Sequence, residues 1–344
     1  MMKCAYRHIE LKKRYPLRIS RGVSAGSTNL YVMIEGAQHV GIGEAAPGTG
    51  AETATVCEQQ LTKFLGHQDI GSSIFDAWSN AYCAGIPMCA WAAIDIAKWD
   101  LLAKQSGQPL YRLLGLPKRS VATSVTIGIS TPDVVRDRVP EILNRTGAKH
   151  LKIKLGSTDG IEADQAMYSE VQETVRDFGV SLRVDANGGW SLSDATSMML
   201  WLRDRNCDYI EQPLKSDLDD QLPVLFKDRT LPIFIDESCS LSTDVARLAD
   251  CIDGVNVKLM KCGGITEALR IVATARAHKL QTMIGCMSES SIAIAAGATI
   301  GALFDHIDLD SHLNLAPDPA TGLEIIDGVV SVPATSGHGG TLAC

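Results

Sequence analysis

The sequence predicts an α/β protein: a (β/α)8 barrel, a modified TIM barrel, carrying an α+β capping domain. Three observations predict it. From about residue 120 eight short apolar strands alternate with amphipathic helical stretches, the cadence of a parallel barrel. Before that point strand-like segments come first and helices follow, without alternation. The ends of successive strands carry charged residues, which is where a barrel gathers its chemistry. At 344 residues the chain can hold a barrel of about 250 residues and a smaller partner.

In order, residues 3–10 and 29–36 read as strands, and Val40 to Glu44 continues the sheet after a turn. Helical spacing follows at 51–65 and 88–106, the second running Ala90-Trp-Ala-Ala-Ile-Asp-Ile-Ala-Lys-Trp-Asp-Leu-Leu-Ala-Lys. Gly107 and Pro109 stop it. The capping domain is therefore set at 1–117. Barrel strands are expected at 121–129, 150–155, 182–187, 209–213, 232–238, 254–259, 282–286 and 306–310. Their helices are expected at 132–146, 161–178, 193–206, 242–250, 264–278 and 289–302. The barrel is set at 118–320, and 321–344 is expected to return to the first domain, its last Gly/Thr-rich residues loosely ordered.

Composition narrows the function classes. An apolar fraction of 45% and a charged fraction of 21% are ordinary for a soluble globular protein. A net charge of −8 argues against nucleic acid or an anionic membrane as partner. No apolar run reaches the length of a membrane span, and the N-terminus lacks the apolar core of a signal peptide. The ten cysteines form no CxxC pair and read as reduced thiols of a cytoplasmic protein. The histidines show no zinc spacing. A capping sheet offers a face for a second copy, so a homo-oligomer stays open.

The chemistry is expected at the strand ends. In Leu151-Lys152-Ile153-Lys154-Leu155, alternation puts both ammonium groups on one face of a strand. Cations on the inner face of a barrel are costly unless something there needs them. The next strands end in Asp185-Ala-Asn187, Glu211-Gln-Pro213 and Asp236-Glu237-Ser238. Three carboxylates converging at one height would repel one another, and a hard divalent cation resolves this. Oxygen ligands without His or Cys favour Mg²⁺, so Asp185, Glu211 and Asp236 are the expected ligands. Asn187 and Asn256 are expected to support them. Lys258 ends the sixth strand, opposite the second, so Lys154 and Lys258 would face each other across the cation. Two bases on either side of one carbon suit inversion: one removes the α-proton and the other returns a proton to the opposite face. Lys152 and the cation would lower Lys154 toward a pKa of about 7–8; Lys152 is also placed to hold a substrate carboxylate oxygen.

These motifs, with Gly43-Glu-Ala-Ala-Pro47 and Gly263-Gly264, resemble those of the enolase superfamily in its muconate-lactonising-enzyme-like branch. The resemblance implies the same fold, a lysine base and Mg²⁺. It leaves the branch's reactions open: cycloisomerases, o-succinylbenzoate synthases, N-acylamino acid racemases and dipeptide epimerases share the two-lysine site. Asp308-Leu-Asp310 on the eighth strand looks like the aspartate pair with which dipeptide epimerases of the L-Ala-D/L-Glu kind hold a free α-ammonium. Two carboxylates at i and i+2 suit that group. Glu289 fits the same branch. Ser311-His312 follows the pair where such enzymes carry a small residue and proline, which leaves the loop shape there open.

Side-chain specificity is expected from a mobile loop at 17–28, where Arg18 or Arg21 could hold an acidic side chain as a loop arginine does in Ala-Glu epimerases. Thr126, Cys286 and Ser288 are further candidate pocket residues. The expectation is Mg²⁺-dependent conversion of L-Ala-L-Xaa to L-Ala-D-Xaa, with Lys154 and Lys258 exchanging protons. A lyase of the same branch, an N-acylamino acid racemase and a non-catalytic metal-dependent binding protein are the alternatives. Which dipeptide is not legible.

Overall fold

The computed structural model describes residues 3–48, 52–66, 73–118 and 120–343. The chain opens with an antiparallel sheet of β1 (Lys3–Ile19), β2 (Gly22–Glu35) and β3 (Val40–Ala45), in that order. The first two strands run further than their sequence pattern. They pair from Lys3 opposite Glu35 to Ile19 opposite Gly22, with one register break between Lys12 and Leu17. The expected loop at 17–28 is thus the tip of a hairpin. No residue in it is fully buried, so it carries no apolar alternation to read.

Four helices follow: α1 (Ala54–Leu65), α2 (Ile74–Cys83), α3 (Met88–Gln105) and the single turn α4 (Leu110–Leu113). Helix α1 starts where the Thr53 hydroxyl accepts from Val56 N; residue 51, the expected start, lies outside the described residues. Helix α2 is an addition to the expected set. Helix α3 is buried almost all round, and its alanines let β3 approach its backbone. A Cβ at Gly41 or Gly43 would collide with the carbonyl oxygens of Ala97 or Ala93, so these positions admit only glycine.

The eight expected barrel strands are β4 (Ser124–Ile127), β5 (His150–Lys154), β6 (Ser181–Asp185), β7 (Cys207–Glu211), β8 (Ile233–Ile235), β9 (Gly254–Lys258), β10 (Gln281–Gly285) and β11 (His306–Asp308). They are parallel neighbours in chain order. A bridge between Thr123 and Ile307 closes the ring, reinforced by Leu309 N donating to Thr123 Oγ1 at 2.9 Å. Outside it lie α5 (Pro132–Thr146), α6 (Ile161–Thr174), α7 (Leu192–Arg203), α8 (Leu222–Lys227), α9 (Ser242–Leu248), α10 (Leu259–Cys262), α11 (Ile265–Ala277) and α12 (Ser291–Thr299). Of these, α8 and α10 are short helices beyond the expected set. Helix α5 shows its sequence signals plainly: proline at its first position and Gly147 in the left-handed conformation after its last.

Strands end earlier than their apolar runs suggested. The chain leaves β6 and β7 through Asn187 and Gln212, both at positive φ (45° and 39°). The first turn is tied by Asn187 N donating to Asp185 Oδ1 at 2.7 Å. Alternation along β5 is as expected: Leu151 and Ile153 are wholly buried against the helices, and Lys152 and Lys154 point into the barrel. Below them the interior is filled by Tyr209, Phe234 and Met283, with Arg183 over the Tyr209 ring.

The C-terminal segment is ordered rather than loose. Strand β12 (Ala320–Thr321) pairs with β15 (Thr341–Leu342), and β13 (Glu324–Ile326) with β14 (Val329–Ser331). His338 N donates to the Asp100 carboxylate of α3 at 2.9 Å, and Leu110 N to Gly337 O at 2.8 Å.

Two buried carboxylates join the N-terminal sheet and helices to the barrel. Asp95 of α3 accepts from Thr266 N (3.1 Å) and Oγ1 (2.5 Å) at the start of α11. Glu44 of β3 caps α12, accepting from Ser290 N (2.9 Å) and Oγ (2.7 Å) and Ala293 N (3.1 Å). On its own side it accepts from Asn29 Nδ2 (2.7 Å) and Tyr31 Oη (3.2 Å). Glu44→Ala leaves these donors buried and unanswered. The variant is expected to lose about 3 kcal/mol, read as a lower urea midpoint at unchanged slope.

Candidate active site

Six of the expected groups meet at the C-terminal ends of the barrel strands. Asp185, Glu211 and Asp236, from β6, β7 and the residue after β8, are buried, and each brings a carboxylate oxygen within 4.8 Å of the other two. Lys154 on β5 pairs with Asp185. Lys258 on β9 donates to Asp236 Oδ2 at 2.7 Å. The two lysines therefore flank the carboxylate group from strands two and six of the ring, on opposite sides. Lys152 lies between Glu211 Oε2 and Asp308 Oδ2, 2.5 Å from each.

Asn187 and Asn256 both lie against these carboxylates. Asn256 Nδ2 donates to Glu211 Oε1 at 2.6 Å. Asn187 Nδ2 reaches Asp185 Oδ2 (3.1 Å) and Glu237 Oε1 (3.2 Å). Gln212 Oε1 accepts from Asp236 N at 2.8 Å and so fixes the turn after β8.

The charges explain one another. Burial and the neighbouring Asp185 charge push Glu211 up to about 7, the signature of carboxylates short of positive charge. Burial would raise Asp236 too, but Lys258 and Lys261 hold it well below the usual range. Burial alone would lower Lys152 and Lys258. Asp308 and Glu211 keep the first charged, and Asp236 and Glu211 the second. For Lys258 the protein's own carboxylates favour the charged form. Any lowering must come from a cation on the carboxylates. Buried oxygen ligands with no His or Cys among them suit a hard divalent ion such as Mg²⁺.

Asp308 and Asp310 depart from the simple i, i+2 arrangement, because β11 stops at Asp308 and Asp310 lies in the turn beyond it. One oxygen of Asp308 faces Lys152; the other, Oδ1, is buried without a donor. Asp310 Oδ2 accepts from Thr126 N at 2.6 Å. Burial and the Asp308 charge push Asp310 up to about 6. The Cys286 thiol sits 3.3 Å from Asp308 O and 3.8 Å from Asp310 Oδ1. Ser288 meets β2 through its carbonyl, which accepts from Asn29 Nδ2 at 2.7 Å. A cavity beside Asp310 opens at the seam between β4 and the hairpin, lined by Tyr15, Leu17, Val125, Thr126 and Leu313 among others. None of the lysines or triad carboxylates lines it.

Arg21 at the hairpin tip is engaged by the barrel. Its guanidinium lies 2.6 Å from Glu237 Oε1 and donates to Asn187 O at 2.9 Å. Ser20 Oγ donates to the same carbonyl at 2.9 Å. Lys261 went unnoticed in the sequence reading. Its Nζ lies 2.6 Å from Asp236 Oδ1, and its signal is the spacing Lys258-x-x-Lys261.

The family profile described as "Mandelate racemase / muconate lactonizing enzyme, N-terminal domain" matches residues 2–115, and "Enolase C-terminal domain-like" matches residues 134–343. The chain belongs to the enolase superfamily. Within it, the chain is 60% identical, over 99% of both chains, to a protein of Roseobacter litoralis named hydrophobic dipeptide epimerase. It is 53% identical to one of the same name from a Flavobacteria bacterium, over 99% of this chain and 98% of that one. A dipeptide epimerase from Enterococcus faecalis, solved with Mg and L-Leu-L-Tyr, superposes with a TM-score of 0.91 at 32% identity, covering 98% of this chain and 99% of that one. No helix among the described residues is long and apolar enough to cross a membrane.

Proposed function

We propose that this protein is a Mg²⁺-dependent dipeptide epimerase that inverts the α-carbon of the C-terminal residue, and that it prefers hydrophobic side chains. The observation that carries the chemistry is the placement of Lys154 and Lys258 on opposite sides of the buried carboxylate group. Asp185, Glu211 and Asp236 hold the cation, with Asn187 and Asn256 keeping Asp185 and Glu211 oriented. When bound, the cation supplies positive charge beside the substrate carboxylate, which lowers the cost of removing the α-proton. Lys154 serves one face of the α-carbon and Lys258 the other; one takes the proton as the other delivers. The buried Asp308 Oδ1 and the half-buried Asp310 offer acceptors for the free α-ammonium.

Charge balance supports this assignment. Asp185, Glu211, Asp236, Asp308 and Asp310 face Lys152, Lys154, Lys258 and Lys261. Lys13 also acts on Asp310, and Glu237 and Glu289 interact with Lys258. A divalent cation on the carboxylates adds positive charge to this network and so favours a neutral lysine able to accept a proton.

The substrate class follows from two supports. Two relatives at more than half identity are named for hydrophobic dipeptides. Of the two hairpin cations that could have met an acidic side chain, Arg21 is paired with Glu237 and Arg18 lies 3.6 Å from Asp159. Incubating pooled L-Ala-L-Xaa dipeptides with Mg²⁺ in deuterium oxide tests both. Aliphatic and aromatic members should gain one deuterium by mass spectrometry, acidic members should not, and chelation should stop all labelling. No labelled dipeptide would overturn the epimerase reading; labelled L-Ala-L-Glu alone would overturn the hydrophobic preference.

A further inference from the structure

We infer that Lys261 is a positioning residue that holds Asp236 and, through it, Lys258, so that one face of the substrate depends on it. The inference rests on the two-lysine reading above. Lys261 lies on the single turn of α10, three residues after Lys258, and on the same side of that turn. Its ammonium is 2.6 Å from Asp236 Oδ1 and also donates to the Asp236 carbonyl. It reaches Cys239 O at 2.8 Å and Asn256 O at 3.2 Å. An ammonium has three protons, and the Asp236, Cys239 and Asn256 carbonyls take them, so Asp236 Oδ1 is held by the ammonium's charge. The side chain is 16% exposed, and its partners come from the end of β8, the turn after it and β9. It is a peg joining two neighbouring strand ends at the place where Asp236 leaves the barrel.

The two oxygens of Asp236 are thereby divided. Oδ1 faces Lys261 and Oδ2 accepts from Lys258 at 2.7 Å. Lys258 must reach the substrate from a defined place, and that place is set by a carboxylate that Lys261 keeps from rotating. Lys154 has a different anchor, Asp185 of β6, which makes no contact with Lys261. Loss of the Lys261 ammonium therefore displaces one base directly, whereas any effect on the cation through Asp236 bears on both faces alike and drops out of their ratio. General weakening of the barrel rim would slow both faces together, so the ratio of the two faces separates positioning from mere structure.

The test follows α-proton exchange from L-Ala-L-Phe and L-Ala-D-Phe in deuterium oxide with Mg²⁺, comparing wild type, Lys258→Ala and Lys261→Met. Methionine keeps the stem and removes the charge. Lys258→Ala identifies the epimer that Lys258 serves. In Lys261→Met, exchange from that epimer should fall about ten- to a hundredfold further than exchange from the other, as expected when one group is displaced by roughly an ångström. A crystal structure of Lys261→Met should show the Asp236 carboxylate rotated and Lys258 Nζ shifted. Equal loss from both epimers, no loss from either, or Asp236 and Lys258 unmoved would overturn the inference. If wild type exchanges neither epimer, these dipeptides are not substrates, and the crystal structure alone decides the role of Lys261. Should Lys261→Met fail to fold, Lys261→Gln retains donors for the Cys239 and Asn256 carbonyls and reads the same ratio.

Discussion

Lys258→Ala should abolish interconversion of the two epimers while leaving one of them able to exchange its α-proton with solvent. The expected loss in epimerisation is about 10²–10⁴-fold, the range for removing a positioned acid or base. The asymmetry matters more than the size. Lys154 enters from strand β5 and stays anchored by Asp185 on β6, whereas Lys258 enters from β9, half the ring away. Removing Lys258 leaves Lys154, the proposed cation ligands, Asp308 at the end of β11 and Asp310 beyond it in place. An epimer whose α-proton faces Lys154 is still deprotonated, and reprotonation from the same side returns it unchanged but labelled. Lys154→Ala should show the mirror behaviour with the other epimer. Mass spectrometry of each epimer in deuterium oxide gives the answer directly. If either variant lost exchange from both epimers equally, the lysines would not act on separate faces.

Much of this site was legible because period-2 alternation has a direct spatial meaning. With Leu151 and Ile153 set against the helices, Lys152 and Lys154 had to face inward, and the structure buries the two apolar residues completely. Likewise the carboxylates at three successive strand ends could only converge once the strands formed a ring. What escaped lay outside regular strands. The hairpin tip buries nothing fully, so it carries no pattern from which its length could be read. Asp308 and Asp310 are two apart in sequence, but the strand ends between them, and the first is drawn to Lys152. Lys261 acts from a helical turn that the barrel cadence does not announce. The carboxylates that keep Lys152 and Lys258 charged come from strands distant in sequence, so their effect on those two lysines is not visible from either lysine's own segment.

Lys152 shows how the same counting leads to a stability effect. It is 1% exposed, between Glu211 and Asp308, which are themselves 0% and 5% exposed. Burial opposes its charge, yet the two carboxylates hold it charged. Lys152→Met conserves much of the volume and leaves two buried carboxylates facing each other. Breaking a buried pair from one side costs about 3–5 kcal/mol, because the partner charge stays behind. Urea unfolding should register that loss. Adding Asp308→Asn to the same chain should recover part of it, since the two substitutions share one network and need not add. Mg²⁺ should also narrow the gap, because a cation on Glu211 offsets the charge that Lys152 no longer meets. Had Lys152 served only in proton exchange, its loss would slow turnover and leave the unfolding midpoint where it was. A buried ammonium held by two carboxylates 2.5 Å away predicts the opposite order: the midpoint falls first, and the activity that survives depends on how well the cation restores the balance.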